Sequence, residues 1–303
     1  MSTLFTGISE LRTVSERGTL NDAAIIAQSG TIAWVGPASE APAADEKVDL
    51  GGRAVLPGWV DSHTHMVFDG DRSAEFEARI SGGSYEAGGI AVTMDATRQA
   101  GTDRLDKLVA DRVAAGRRGG TTTFETKTGY GLNTESEVEA AKVASRHVDD
   151  VTFLGAHLVP PGADAEDYLD EVVGPMLEGV APYVQWIDVF CERGAFNEEQ
   201  SRRVLEAGKK LGLGLRVHGN QLGEGPGVAL AVELGAASVD HVNHLSDEDV
   251  ELLANSDTVA TMLPACDLST REPLAPGRTL LDAGATLAIA SNLNPGTSYT
   301  SSM

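Results

Sequence analysis

Basic residues are scarce in this chain. Twenty-three Lys and Arg stand against 45 Asp and Glu, a formal net charge of −22, and so acidic a surface repels both nucleic-acid phosphates and anionic lipid headgroups. Long apolar runs are also lacking. No stretch approaches the roughly 20 residues needed to cross a bilayer, and the opening MSTLFTGISELRTV has no basic segment leading into an apolar one. Cys191 and Cys266 are the only cysteines, too few for a disulfide framework, so reduced thiols in a cytoplasmic setting are expected. What is present is a 303-residue chain with 42% hydrophobic residues, enough for a barrel-sized domain with a small appendage or for two medium domains. The expected partner is a small-molecule substrate, with no nucleic acid and no membrane; a homodimer is a compatible assembly.

Residues 1–54 read as short β segments at 4–8, 23–27, 32–35 and 47–50, punctuated by Gly18, Gly30, Gly36-Pro37 and Gly51-Gly52. Such a layer has open edges and needs further strands or a partner sheet. From residue 55 apolar runs alternate with helix-like segments, the pattern of parallel βα units. Eight strands are expected, at 54–61, 120–125, 151–156, 184–190, 214–217, 238–241, 258–263 and 286–290. Amphipathic stretches lie between them at 103–118, 135–147, 164–177, 198–211, 227–234 and 247–254. A doubly wound open sheet would show a glycine-rich phosphate turn after its first strand; here that strand runs into His-Thr-His. The expected fold is therefore a (β/α)₈ barrel over residues 55–303, preceded by the small β layer.

His63 and His65 close the stretch LPGWVDSHTHMVF at 56–68. Strand side chains alternate faces, so an i, i+2 pair points one way with roughly 6–7 Å between the two residues along the backbone, close enough to share a metal ion. Alone, the pair also fits two half-buried histidines. Its company favours a metal: His218 ends the fifth expected strand and His241 the sixth, which in a barrel places both at the catalytic mouth. Imidazoles from several strand ends make a borderline-soft site suited to zinc or iron, with a position left for water. His157 ends strand three and belongs at the same mouth. Lys127 and Tyr130 follow strand two within reach of a substrate, although Lys127 also reads as an ordinary loop charge. Arg72, nine residues beyond His63, is placed to fork a carboxylate. Asn292 ends strand eight where hydrolytic barrels of this kind need a carboxylate, and an amide cannot take a proton from water.

In order along the chain, VLPGWVDSHTHMVFDGDR, FETKTGYGLN, FLGAHLVPP, VHGNQL, SVDHVNHL and NLNPGTS resemble the amidohydrolase superfamily and, within it, the imidazolonepropionase family of histidine degradation. The first motif alone says amidohydrolase; KTGYGL, LGAH and NPGTS make the likeness specific. The resemblance implies one zinc or iron ion on His63, His65 and His218, with the residue at 292, usually an aspartate, as fourth ligand. It implies that Arg72 holds a propionate, that Tyr130 and His157 contact an imidazolone, and that Asn294, Gly296 and Thr297 line the far side. His241 would polarise the ring carbonyl or help shuttle a proton. Gln221 stands where many members have a glutamate, which leaves it a hydrogen-bonding role beside the catalytic residues Asn292 and His241.

The family fold includes a small β-sandwich assembled from both chain ends. Only 291–303 follow the eighth expected strand, so the expectation is of half a sandwich, no final helix and an apolar barrel wall left uncovered. Two other functions fit the residues: another amidohydrolase, either a cyclic-amide hydrolase or a nucleobase aminohydrolase with Lys127 carboxylated between two metals, or a non-catalytic metal- or ligand-binding member with Asn292 as its mark.

Overall fold

The computed structural model describes residues 1–81 and 89–303, in two compact units, 1–58 and 59–303. The first unit is a four-stranded sheet of β1 (Ser2–Arg12), β2 (Thr19–Gln28), β3 (Thr31–Pro37) and β4 (Glu46–Val55), in the order β3-β2-β1-β4. Ser29 and Gly30, both at positive φ, make the two-residue turn that joins β2 to β3. β4 returns parallel to β1. Ile8, Leu11 and Ala23 form the buried centre of one face, with Phe5, Leu20, Ile25 and Val35 against them. β4 runs on to Val55, so residues 54 and 55, read above as the start of the first barrel strand, belong to this sheet; Pro57, with no N–H to donate, lies between the two strands.

The second unit is a (β/α)₈ barrel. Its strands are β5 (Trp59–Asp61), β6 (Thr121–Lys127), β7 (Asp150–Ala156), β8 (Trp186–Cys191), β9 (Gly214–Gly219), β10 (Ser238–His241), β11 (Val259–Met262) and β12 (Leu287–Ile289), each bonded to the next and all parallel. Val151, Thr152, Phe153 and Leu154 of β7 are all buried, as a strand covered on both faces must be. The helices are α1 (Ser73–Ile80), α2 (Ile90–Ala100), α3 (Thr102–Arg118), α4 (Thr134–Ala144), α5 (Ala165–Glu171), α6 (Leu177–Val180), α7 (Glu198–Lys210), α8 (Gly227–Leu234), α9 (Asp247–Ala254), α10 (Pro264–Thr270) and α11 (Gly277–Ala283). α7 shows how sequence makes such a helix. Asn197 and Gln200 close a reciprocal capping box, and Ser201, Val204, Leu205 and Gly208 recur at helical spacing as its buried stripe. Burying Val204 and Leu205 there contributes about 1.5–3 kcal/mol each. α1, α2, α10 and α11 were not expected from periodicity.

The seam of the barrel, between β5 and β12, is stitched by the histidine segment itself. Thr64 and Asn292 form a parallel bridge. The Asn292 amide donates to the His63 carbonyl at 3.0 Å, and the His65 amide to the Leu293 carbonyl at 3.3 Å. Asp61 adds a side-chain clamp, accepting from the Ser291 amide at 3.0 Å and its hydroxyl at 2.5 Å. Closing the fold therefore also places the site residues.

Candidate active site

His63 and His65 lie just beyond β5 rather than inside a strand, and their orientation comes from the seam rather than from strand alternation. Both are buried. The two Nε2 atoms are 3.2 Å apart, and His218 Nε2, from β9, lies 3.4 Å from that of His65. A tetrahedral ion with bonds of 2.0–2.1 Å separates its ligands by roughly 3.3–3.4 Å, so His65 Nε2 stands at ligand spacing from each of the other two; the three histidines whose ligand atoms all lie within 4.8 Å of one another are His63, His218 and His241. Their direction has a cause. His63 Nδ1 is hydrogen-bonded to Asp240 Oδ2 at 2.7 Å, the carboxylate–imidazole pairing that fixes the tautomer and turns Nε2 toward a metal; His218 Nδ1 lies 2.9 Å from Asp188 Oδ2, an electrostatic contact without hydrogen-bond alignment. Burial, then the neighbouring cations and imidazoles, pull His63 and His65 well below the ordinary histidine pKa, so both are neutral and have a lone pair to give.

Asn292 meets this group along the bridge to Thr64. Its backbone is left-handed, φ 67°, its Nδ2 donates to Thr297 Oγ1 at 3.0 Å, and its buried Oδ1 has no hydrogen-bond partner. A buried, unpartnered carbonyl oxygen on a residue bridged to the His63–His65 segment suits a weak neutral ligand. His241, also left-handed at φ 84°, has a ligand atom within 4.8 Å of those of His63 and His218. Burial, with His218 next, pushes its pKa down to about 3. Non-glycine residues in this region cost about 1–3 kcal/mol and persist where the surroundings over-determine them.

Two further groupings have a ligand's composition but a different state. Asp188, His218 and Asp240 already hold a cation, the Lys127 ammonium. Beside His241 and Asp267, the Cys266 thiol is pushed up to about 12 by burial and stays protonated. Cys191 and Cys266 are both buried free thiols.

Lys127 overturns its reading as a loop charge. It is the last residue of β6, fully buried, with Nζ 2.8 Å from Glu125, 3.2 Å from Asp188 and 3.8 Å from Asp240. Burial alone would depress its pKa, but these three carboxylates more than offset that and raise it. An ammonium fits this cage; a carboxylated, anionic lysine does not.

The residues read as substrate contacts fall into two groups. His157 stacks on His65 with ring centroids 5.6 Å apart, and its Nδ1 is 2.9 Å from the Gly129 carbonyl. Burial pushes its pKa down to about 4. Tyr130 is buried edge-on to both His65 and His157. Its loop is held by Glu137, which accepts from the amides of Gly129, Gly131 and Leu132 at 2.7–2.9 Å. At Gly129, φ 106°, a Cβ would lie 2.6 Å from the Leu154 carbonyl, so only glycine serves.

The second group is on the side of α1. Arg72 does present a fork, but the fork is filled by Glu75: Nε and Nη2 donate to its carboxylate at 2.7 and 2.8 Å. Asn294 spends its Oδ1 on the amides of Gly296 and Thr297, at 2.9 and 3.3 Å, and so builds the loop rather than reaching outward. Gly296 makes room for Arg72, since a Cβ there would fall 2.3 Å from the guanidinium carbon. Thr297 is the acceptor for Asn292. A cavity of about 810 Å³ opens here, lined by Arg72, Gly296, Thr297, Phe76 and Tyr299 among others. Gln221 is buried, with its amide donating to Glu192 at 2.9 Å and its Nε2 3.7 Å from Cys266 Sγ.

Sequence reasoning missed Glu125, Asp188 and Asp240. Asp188 and Asp240 had a signal, a single acid inside a short apolar run, as in WIDVFC and ASVDH; Glu125, in the threonine-rich TTTFETK, had none.

The curated imidazolonepropionase of Arthrobacter sp. (strain FB24) is 65% identical across the whole chain, which spans 78% of that protein, and the one from Paenarthrobacter aurescens (strain TC1) is 63% identical, with 77% spanned. No protein-family model matches the chain. Among solved structures, a guanine deaminase from C. acetobutylicum shares the fold with TM-score 0.69 at 14% identity, over 98% of this chain and 76% of that one. A zinc-bound adenosine deaminase from Xanthomonas campestris gives 0.66 at 17%, over 98% and 70%. At such identity to its sequence relatives, along its full length, the chain belongs to the imidazolonepropionase family of the amidohydrolase superfamily.

Proposed function

We propose that this chain hydrolyses the ring amide of 4-imidazolone-5-propanoate, giving N-formimidoyl-L-glutamate, at a single metal ion held by His63, His65 and His218 with Asn292 Oδ1 as fourth ligand. The observation that carries this reading is the approach of His65 Nε2 to those of His63 and His218, at 3.2 and 3.4 Å, with His63 aimed by its hydrogen bond to buried Asp240 and a buried aspartate beside His218. Zinc or iron suits this donor set, and such an ion supplies Lewis acidity for an amide carbonyl and lowers the pKa of water toward neutral.

The chain's own residues do the rest. Arg72 takes the substrate carboxylate in the fork that Glu75 now fills, one carboxylate exchanging for another of the same geometry. Tyr130 and His157 pack edge-on around the ring, and His157, neutral near pH 7, offers a hydrogen bond without adding charge. Asn292 can orient but cannot carry a proton. His241, neutral and beside the ligands, is the group left to polarise the carbonyl or pass the proton on. Gln221 serves by hydrogen bonding. Loss of the substrate's ultraviolet absorbance on adding metal-loaded protein is the direct assay; no turnover by the loaded chain, and none after Asn292→Asp, would overturn the reading.

One observation favours a second reading, a binding protein without turnover: the strand-eight position offers a neutral amide where a base is needed. A metal-loaded protein that binds substrate tightly yet leaves it intact would support that instead.

A further inference from the structure

Behind the histidines lies a buried set of charges that touches no reacting atom. Glu125, Lys127, Asp188 and Asp240 are between 0 and 3% exposed. Their contacts form one system. Asp240 is hydrogen-bonded to His63 Nδ1 at 2.7 Å, and Asp188 Oδ2 stands 2.9 Å from His218 Nδ1. Glu125 accepts from the amide of Thr64, the residue between His63 and His65, at 3.0 Å, and from the hydroxyl of Thr152. Lys127 alone reaches all three carboxylates, and its own amide donates to the Thr64 carbonyl at 2.9 Å. The nearby guanidinium of Arg216 is turned elsewhere, toward the Ser62 carbonyl and the Trp186 ring.

Three buried carboxylates with no counterion repel one another and lose their shared geometry. With Lys127 among them they stay together, and the four side chains carry a formal net charge of −2, which a divalent cation balances. We propose that Lys127 is a positioning residue for the metal site: it ties Glu125, Asp188 and Asp240 into the arrangement that aims His63 and His218, and sets the charge of the buried shell to receive a divalent ion. This rests on the metal reading above, and Lys127 acts only through the carboxylates.

Co²⁺ titration of the metal-stripped full chain tests it, reading both affinity and the visible d–d spectrum of the bound ion. The native chain takes up one Co²⁺ with a tetrahedral spectrum, and His218→Ala abolishes that spectrum. Lys127→Met binds about tenfold or more weakly, within the range for losing a group that orients ligands, and its spectrum changes. The double variant Glu125→Gln/Lys127→Met, at −2 again, recovers most of the affinity, which a mere filler of space would not allow. Lys127→Met with native affinity and spectrum would overturn the inference, as would a double variant that binds no better than the single one. Should Lys127→Met not fold, the double variant carries the test, and its failure to fold with the charge restored would also count against the inference. A native chain that takes up no Co²⁺ would defeat the metal reading itself.

Discussion

Behind His63 and His218 stand buried aspartates, Asp240 hydrogen-bonded to His63 Nδ1 at 2.7 Å and Asp188 2.9 Å from His218 Nδ1, whereas Asn292, bridged to the same segment, is held by a neutral bond to Thr297. The histidine side is built in depth: imidazole, carboxylate, then Lys127. The strand-eight side is one layer, a loop whose polar atoms are largely spent on each other through Asn294 and Thr297. In the proposed site, ligand strength therefore resides on the histidine side, and the strand-eight side can be altered without rebuilding it. Such depth is costly to disturb, since each buried charge depends on the next.

The comparison breaks first at a ligand. His218→Ala is expected to empty the site and take turnover to background, as read by metal analysis and the ultraviolet assay. Next comes the layer behind: Asp240→Asn should weaken metal binding about 10–100-fold, measured by chelator competition, while the fold remains. On the opposite side Asn292→Asp is expected to tighten metal binding about tenfold, the scale of replacing a neutral acceptor by an ionised one. It should also raise turnover; no change in either would mean that the residue is not a ligand. Gly296→Ala should push on the Arg72 guanidinium, raising KM several-fold with kcat little changed.

The smallest effect is on pH dependence of stability. The folded pKa of His157, about 4, lies below its unfolded value of about 6.5. The unfolded chain thus binds a proton that the native chain refuses, and stability is complete above pH 6.5 and falls as pH drops from there toward 4. His241, at about 3, extends the loss further into acid. His157→Asn is expected to shallow the fall in Tm across pH 6.5 to 4, and an unchanged slope would contradict this.

Much of the barrel was legible in the sequence, because parallel strands buried on both faces leave short apolar runs that few other elements imitate. The boundary at 54–61 was misread for a local reason: the apolar residues on either side of Pro57 belong to different sheets. α10 and α11, at seven residues each, are too short to show a period. That His63, His65, His218 and His241 come together was readable because histidines at successive strand ends of a barrel share one mouth. Lys127 and its three carboxylates were not. Glu125 and Lys127 lie on one strand, but Asp188 and Asp240 come from two others, and only the closed barrel shows that one acid from each of three strands answers the same cation. The filling of Arg72 by Glu75 was hidden likewise, since an i, i+3 acid on a helix reads as a solvated pair.

The central claim is that His63, His65 and His218 hold one ion that the reaction requires. Metal content per chain, measured alongside ring-opening activity as a chelator strips the ion and a divalent metal restores it, tests this most directly. The expected result is one ion per chain, with activity lost and regained in proportion to it. Two ions per chain, or turnover that persists in the stripped protein, would contradict the account.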